Sequence, residues 1–326
     1  MRIAITGGAG FIGSHLADTC LADGHEVLIL DDLSHGRLQN LPDRARFERI
    51  DVRDRRGMRE VFSLFRPEVV SHQAAQADLR LSLEDPPRNA EINLVGTVIV
   101  LEEAARAGAN AMILASSGGA IYGETPRAAT ETAPKGPLSP YGAAKLAGEQ
   151  YLFSYVATGR LKGCALRYSN VYGPRQGPSG ETGVVAIFAD RLLSNRACAV
   201  FGDGGQVRDF IHVLDVARAH AFGMHWVLAS APQLRCVDDL AFNVATGCST
   251  TILELHNMMA KASRVEIPAL LTPPREGELY ESRLDPTKCR ETLGFESSIA
   301  LQEGVMTVLD WLRGFRERTD GQSGSA

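Results

Sequence analysis

Through the first half of the chain, short apolar runs alternate with stretches whose apolar residues recur every three or four positions. Ile3–Thr6, Val27–Leu30, Arg46–Ile50, Glu68–His72, Met112–Ser116 and Gly163–Arg167 each have strand length. Between the first two, Phe11, Ile12, Leu16 and Leu21 share one helical face, and Gly24 ends that helix. Further helices are predicted over about 55–65, 88–107 and 141–156, with loops at Gln73–Pro87 and Gly118–Pro140. Strands alternating with helices predict an α/β fold, a parallel sheet doubly wound by helices on both faces. Ligands of such sheets bind beyond the carboxyl ends of the strands. Function is therefore expected in 7–10, 31–36, 51–54, 73–87, 116–123 and 168–176.

After Tyr172 the rhythm changes. Gly173–Gly183 is rich in Gly and Pro and reads as a boundary. A helix over about 184–194, a short strand Ala199–Phe201, a turn Gly202–Gly205 and a helix Val213–Leu228 follow. Ala241–Val244 is predicted as a late strand that returns to the first sheet. Residues 246–317 are expected to hold two or three helices and the loop Thr272–Leu284, and 318–326 a polar, disordered tail.

Composition narrows the classes. A chain of 326 residues fits one large domain or two smaller ones. Its 22% charged and 44% hydrophobic residues are ordinary for a globular protein, and no uncharged apolar run nears membrane-spanning length. The first apolar run is too short for a signal peptide. A net charge of −5 argues against bulk attraction to nucleic acid or to an anionic membrane, so an anionic ligand has to meet local cations. Six cysteines without a Cys-x-x-Cys pair predict reduced thiols in a cytoplasmic protein, with neither a disulfide framework nor a metal site. His72, His212, Asp209 and Asp215 lack ligand spacing and are expected to be hydrogen-bonding residues of the core.

The chemistry concentrates in two stretches. In the first, an apolar strand runs into Gly7, Gly8, Gly10 and Gly13, a helix follows, and a second strand closes on Asp31. Gly8-x-Gly10-x-x-Gly13 supplies a tight turn and close backbone approach to a pyrophosphate, and the helix N-terminus aims N–H groups at it. Asp31 lies where an acid bonds ribose hydroxyls and repels a 2′-phosphate, which favours NAD over NADP. In the second, Tyr141 and Lys145 stand four apart on one helical face. A lysine ammonium beside a phenol favours the phenolate, and so predicts a general base near neutrality.

Together with these, SSGGAIYG at 116–123, PYGAAK at 140–145, LRYSNVYGP at 166–174, RDFIHVLDVA at 208–217 and REGE at 275–278 resemble the extended short-chain dehydrogenase/reductase family. The similarity covers about residues 1–315 and is greatest to its UDP-glucose (UDP-galactose) 4-epimerases. That resemblance implies a Rossmann-type NAD-binding domain, 1–172 plus about 209–245, and a smaller nucleotide-sugar domain, about 173–208 plus 246–317. It implies that Gly7, Gly10, Phe11, Ile12 and Gly13 hold the pyrophosphate and Asp31 the adenosine ribose. Asp51 and Val52 would flank adenine, and Asn93 and Ser116 would line the cofactor site. Tyr141 would be the base, Lys145 would bond the nicotinamide ribose, and Tyr168 would lie near the nicotinamide. Asn170 and Arg208 would meet the UDP phosphates, Arg275 and Glu278 the UDP end, and Ser282 the sugar pocket. A homodimer through helices 88–107 and 140–156 is expected on the same ground.

The chain departs from the family pattern in two places. Gly118 stands where many relatives carry Ser or Thr, which moves the expected hydroxyl role to Ser117, with Ser116 in reserve. Ser169 replaces a frequent Phe. Gly118 and Gly119 offer no acid for an elimination, which argues against a 4,6-dehydratase. The expected reaction is inversion at carbon 4 of a UDP-hexose, with N-acetylated sugars admitted. The alternatives are a UDP-glucuronate 4-epimerase or decarboxylase, with Arg175 or Arg80 facing the carboxylate, another nucleotide-sugar dehydratase or reductase, or a non-catalytic dinucleotide sensor.

Overall fold

The computed structural model describes residues 1–177, 183–230, 232–275 and 278–323. The chain runs β1 (Arg2–Thr6), α1 (Phe11–Ala22), β2 (Glu26–Asp31), β3 (Arg46–Arg49), α2 (Arg55–Phe65), β4 (Val69–His72), α3 (Leu79–Glu84), α4 (Pro86–Ala90), α5 (Gly96–Arg106) and β5 (Ala111–Ser117). Then come α6 (Gly118–Ile121), α7 (Pro140–Ala157), β6 (Lys162–Tyr168), β7 (Asn170–Tyr172), α8 (Val184–Leu193), β8 (Ala199–Phe201), β9 (Val207–Arg208), β10 (Phe210–His212) and α9 (Val213–Ala229). Last are β11 (Ala241–Val244), β12 (Thr250–Thr251), α10 (Ile252–Ser263), β13 (Leu270–Thr272), β14 (Glu281–Ser282) and α11 (Leu301–Ser323).

Seven strands form one sheet in the order β11-β6-β5-β4-β1-β2-β3, every pairing parallel. Strands covered on both faces read as continuous apolar runs, which is why the sequence marks them clearly. Alternate side chains serve alternate faces. Ile3, Ile5 and Ile29 pack with Leu16 of α1 and Val216 of α9. Ala4, Leu28 and Leu30 pack with Phe62 of α2, Leu101 of α5 and Leu152 of α7. The strand order reverses beside β1, since β2 lies on one side and β4 on the other, and that switch point opens a crevice at the carboxyl ends. A third core joins Tyr172, Phe188 of α8, Leu255 of α10 and Leu309 of α11. Cys289, Leu293 and Phe295, from a segment expected in the smaller domain, pack instead into the core of the sheet.

Three expectations are corrected. Gln73–Pro87 is not all loop, because α3 lies inside it, capped by Asp78, which accepts from the backbone N–H of Arg80 and Leu81. Leu79, Leu81 and Leu83 alternate in sequence and are 49%, 43% and 61% exposed, so no core-facing helical stripe marks this turn. The long helix predicted over 88–107 opens earlier, at Pro86 behind the cap Asp85, and passes through a π-turn at Glu91–Val95 before α5. The tail expected from 318 instead continues α11 to Ser323: once a helix is formed each further residue adds a hydrogen bond, which carries it past the weak helix formers Thr319, Asp320 and Gly321. Residues 178–182 and 276–277 of two expected loops, and 324–326 of the tail, lie outside the described residues.

Candidate active site

Gly7 turns the chain out of β1 with φ +67°, and its N–H donates to the Leu30 carbonyl at 2.7 Å. A Cβ on Gly13 would stand 2.2 Å from the Gly7 carbonyl oxygen, so only glycine lets α1 start this close to the turn. Gly10 caps α1 without a side-chain hydrogen bond, which leaves first-turn N–H groups for an anion. Gly7, Gly10, Phe11, Ile12 and Gly13 line a cleft of about 290 Å³.

Asp31 closes the far end of that cleft. It accepts from the N–H of Ala9 at 3.0 Å and of Leu33 at 2.8 Å, which fixes its carboxylate before any ligand arrives. Burial pushes its pKa up, and the two N–H donors oppose that. Asp51 and Val52 also line the cleft. Arg53 forks onto Asp51 at 2.6–3.1 Å and holds its carboxyl below the usual range. Asn93 lies one layer back from its expected place. Its side chain receives the Gln76 N–H and donates to the Gln76 carbonyl, both at 2.8 Å, so it braces the loop after β4, and Gln76 itself lines the cleft. Thr97 donates to the Asn93 carbonyl, and His72 bridges Thr97 to Thr6, which ties that brace to β1.

Ser139 accepts from the Gly142 N–H and Pro140 occupies the first turn, so α7 begins at the cleft edge with Tyr141 facing it. Lys145, buried one turn on, donates to the Ala115 carbonyl at 3.0 Å, and its Nζ lies 5.8 Å from the Tyr141 ring centroid. Glu149, the next residue on this face, accepts from Ser116 Oγ and from the guanidinium of Arg167 at 2.6–3.2 Å. Burial works against the charge of Arg167, but Glu149 outweighs it and keeps the guanidinium protonated. Ser116 lines the cleft while its hydroxyl is committed to this pair. Ser117 faces elsewhere, into a second cavity of about 230 Å³ that it lines with Tyr141. A Cβ on Gly118 would meet Leu284 at 2.3 Å, which explains the glycine where a hydroxyl residue is frequent. Tyr168 lines the cleft and donates to Gln73 at 3.4 Å, and burial raises its pKa.

Asn170 lines the second cavity. Ser282 pairs across β14 with Arg208 on β9 and is buried near Gly119, whose added Cβ would lie 3.9 Å from its Oγ. Arg208 donates to the carbonyls of Leu279 and Tyr280 at 2.6 and 3.2 Å and lies 3.6 Å from Glu278. Its pKa is lowered by burial, against the pull of Glu278. Arg275 lies over the Phe201 ring at 3.6 Å. Neither arginine considered for a sugar carboxylate lines the second cavity: Arg80 is exposed beside Asp78, and Arg175 lines the first cleft and pairs with Asp18.

His72, His212, Asp209 and Asp215 each serve local hydrogen bonds. His212 meets Thr307 and the Leu214 N–H, and Asp215 holds the N–H groups of Ser298 and Ile299. Asp209 serves as expected and gathers Ser169, Thr246 and the Gly247 N–H beneath the second cavity. The Glu149–Arg167 pair was missed, although Glu149 stands four after Lys145, a spacing that signals a shared face.

With this geometry in hand, the comparison with known proteins is direct. Residues 3–233 match the NAD dependent epimerase/dehydratase family. The chain belongs to that family. It is 43% identical over 319 residues to the UDP-glucose 4-epimerase of Mycolicibacterium smegmatis, covering 96% of this chain and 99% of that one. The UDP-glucose 4-epimerase of Thermotoga maritima, solved with UDP-glucose, superposes with a TM-score of 0.91 at 40% identity, covering 97% of this chain and 100% of that one. That of Thermus thermophilus, solved with NAD, gives 0.89 at 44% identity, covering 96% and 99%.

Proposed function

We propose that this protein epimerises a UDP-hexose at carbon 4, interconverting UDP-glucose and UDP-galactose with NAD as its resident cofactor. The observation that carries the reading is the place of Tyr141, which lines both the dinucleotide cleft and the second cavity. A phenol there reaches a substrate hydroxyl and a nicotinamide at once. The cleft fits the dinucleotide: Gly13 leaves a cradle that a Cβ would fill, and Asp31 is already oriented for a ribose. NAD held by the glycine turn and Asp31 would supply reversible hydride transfer at carbon 4 of the sugar. Tyr141 takes the proton of the 4-hydroxyl and gives it back. Lys145, beside that ring, supplies a positive charge that favours the phenolate. Ser117, which lines the second cavity with Tyr141, is read as the hydroxyl that holds the same oxygen. Asn170, Arg208, Arg275 and Glu278 are read as the UDP-binding residues.

The same reading assigns 1–172 with about 209–245 to cofactor binding, and about 173–208 with 246–317 to the nucleotide sugar. It places the protein in the cytoplasm as a homodimer. Val95 and Tyr151, 50% and 44% exposed on the two expected helices, support that surface, and light scattering of Val95→Arg tests it. No helix among the described residues is long and apolar enough to cross a membrane. Among the described residues no cation lines the second cavity, which counts against the uronate reading, and a dinucleotide sensor needs no phenol poised between two sites. Proton NMR of the purified protein with UDP-hexoses, UDP-N-acetylhexosamines and UDP-uronates is decisive. UDP-glucose and UDP-galactose should interconvert without added cofactor, and turnover of uronates alone would overturn the assignment.

A further inference from the structure

Arg175 lines the dinucleotide cleft together with Gly10, Phe11 and Gly13 of the glycine turn. Its backbone is left-handed, φ +69°, a conformation that an arginine holds only where its surroundings impose it. Those surroundings are two contacts with α1. The Pro174 carbonyl accepts from His15 Nε2 at 2.9 Å, and Arg175 Nη2 pairs with Asp18 at 2.7 Å. His15 and Asp18 stand three apart, so the turn is pinned along one face of the helix. Nη1 of the same guanidinium is buried and has no partner among the described residues. A buried donor of a charged group is costly to leave unmade. The helix beside it begins with an uncapped turn that suits an anion. Arg53, a second cation of this cleft, is committed to Asp51 and Glu91.

We propose that Arg175 donates through Nη1 to the diphosphate of the bound dinucleotide, and that Asp18 and His15 hold it in position. The assignment rests on NAD occupying this cleft. A guanidinium donates as a rigid fork, so fixing Nη2 on Asp18 also fixes the direction of Nη1. The glycine turn then supplies backbone N–H groups and α1 its dipole, while Arg175 adds the full charge that a chain of net charge −5 has to place locally.

The test titrates NAD, ADP-ribose, adenosine and UDP calorimetrically into wild type, Arg175→Ala, Arg175→Lys and Asp18→Asn, and measures the NAD content of each purified protein. Arg175→Ala should purify with less NAD and bind NAD and ADP-ribose on the order of 10–100-fold more weakly, as for a lost charge-assisted hydrogen bond. Adenosine and UDP affinities should not move. Arg175→Lys should recover part of the loss, and Asp18→Asn should show a smaller one. Unchanged NAD affinity in Arg175→Ala overturns the proposal. Weaker UDP binding alone does so too, since it would put the guanidinium on the substrate diphosphate, and so does an equal loss for adenosine, which would mean a distorted cleft. Wild-type protein that binds no NAD would instead overturn the cofactor reading.

Discussion

Tyr141 and its neighbours show what single residues contribute. Tyr141→Phe removes one hydroxyl, leaves the ring that Lys145 lies beside, and should keep the fold and the NAD. Turnover should fall by roughly 10²–10⁴-fold, the usual range for a lost general base. A variant that epimerises near the wild-type rate would move the base elsewhere. Ser116 and Ser117 are adjacent in sequence and opposite in consequence. Ser116 donates to buried Glu149, so Ser116→Ala removes a partner of a buried charge and should lower the melting temperature. Ser117 faces the cavity with Tyr141, so Ser117→Ala should lower kcat with little change in melting. Paired kcat and thermal-melt measurements separate the two, and the reverse pattern would exchange their roles. The sequence placed both serines beside the site. Which hydroxyl is left to the second cavity depends on Glu149, which engages Ser116 and lies 32 residues beyond Ser117 in the chain.

At the scale of elements, the short strand β14 lies behind the second cavity: Ser282 does not line it, but stands beside Gly119, which does. Its parallel register with β9 sets Ser282 beside Arg208 and near Gly119. The larger neighbour, Tyr280, is turned away, with its hydroxyl on Asp203 at 3.0 Å. On the reading that Ser282 borders the sugar pocket, its small side chain would leave room at carbon 2, so wild type should turn over UDP-N-acetylglucosamine as well as UDP-glucose. Ser282→Tyr should lose the N-acetyl substrate selectively. Equal loss of both activities, or a wild type that refuses the N-acetyl sugar, would sink the gate. The loop around 279–283 was readable only as a register counted from Glu278, because two-residue strands carry no periodicity. The opposite holds for α7: the Ser139 cap, Pro140 and the spacing of Tyr141 with Lys145 announce its start and its working face. Helix α3 was invisible because its leucines are exposed and its two ends are set by Asp78 and Asp85.

Over the whole molecule, buried imidazoles set the response to acid. Burial pushes His72 down to about 3, and His212 and His220 to about 4. Each folded value lies below the ordinary imidazole value of about 6.5, so the unfolded chain binds protons first as pH falls. Their contribution is complete above about pH 6.5 and declines toward pH 4, by up to about 1.4 kcal/mol per pH unit for each imidazole. Asp31, Glu131 and Asp209 are raised by burial, so they take up protons in the fold and blunt that decline at its acid end. The melting temperature should therefore drop between about pH 6.5 and 4. His220→Leu should flatten the slope, since burial alone shifts His220 and its Nε2 has no partner among the described residues. A melting temperature that rises on acidification through this window would contradict the assignment. By itself the sequence determined the alternation of strands and helices, the glycine turn, the closing acid and the Tyr–Lys pair, because each is local: a period, a turn or a spacing of four. Only the tertiary structure decided which of two serines lines the second cavity, that Asn93 braces a loop instead of lining the cleft, and that Arg175 turns to α1 at the edge of the first cleft. Those outcomes depend on contacts between residues far apart in the chain, and no local pattern encodes where such partners meet.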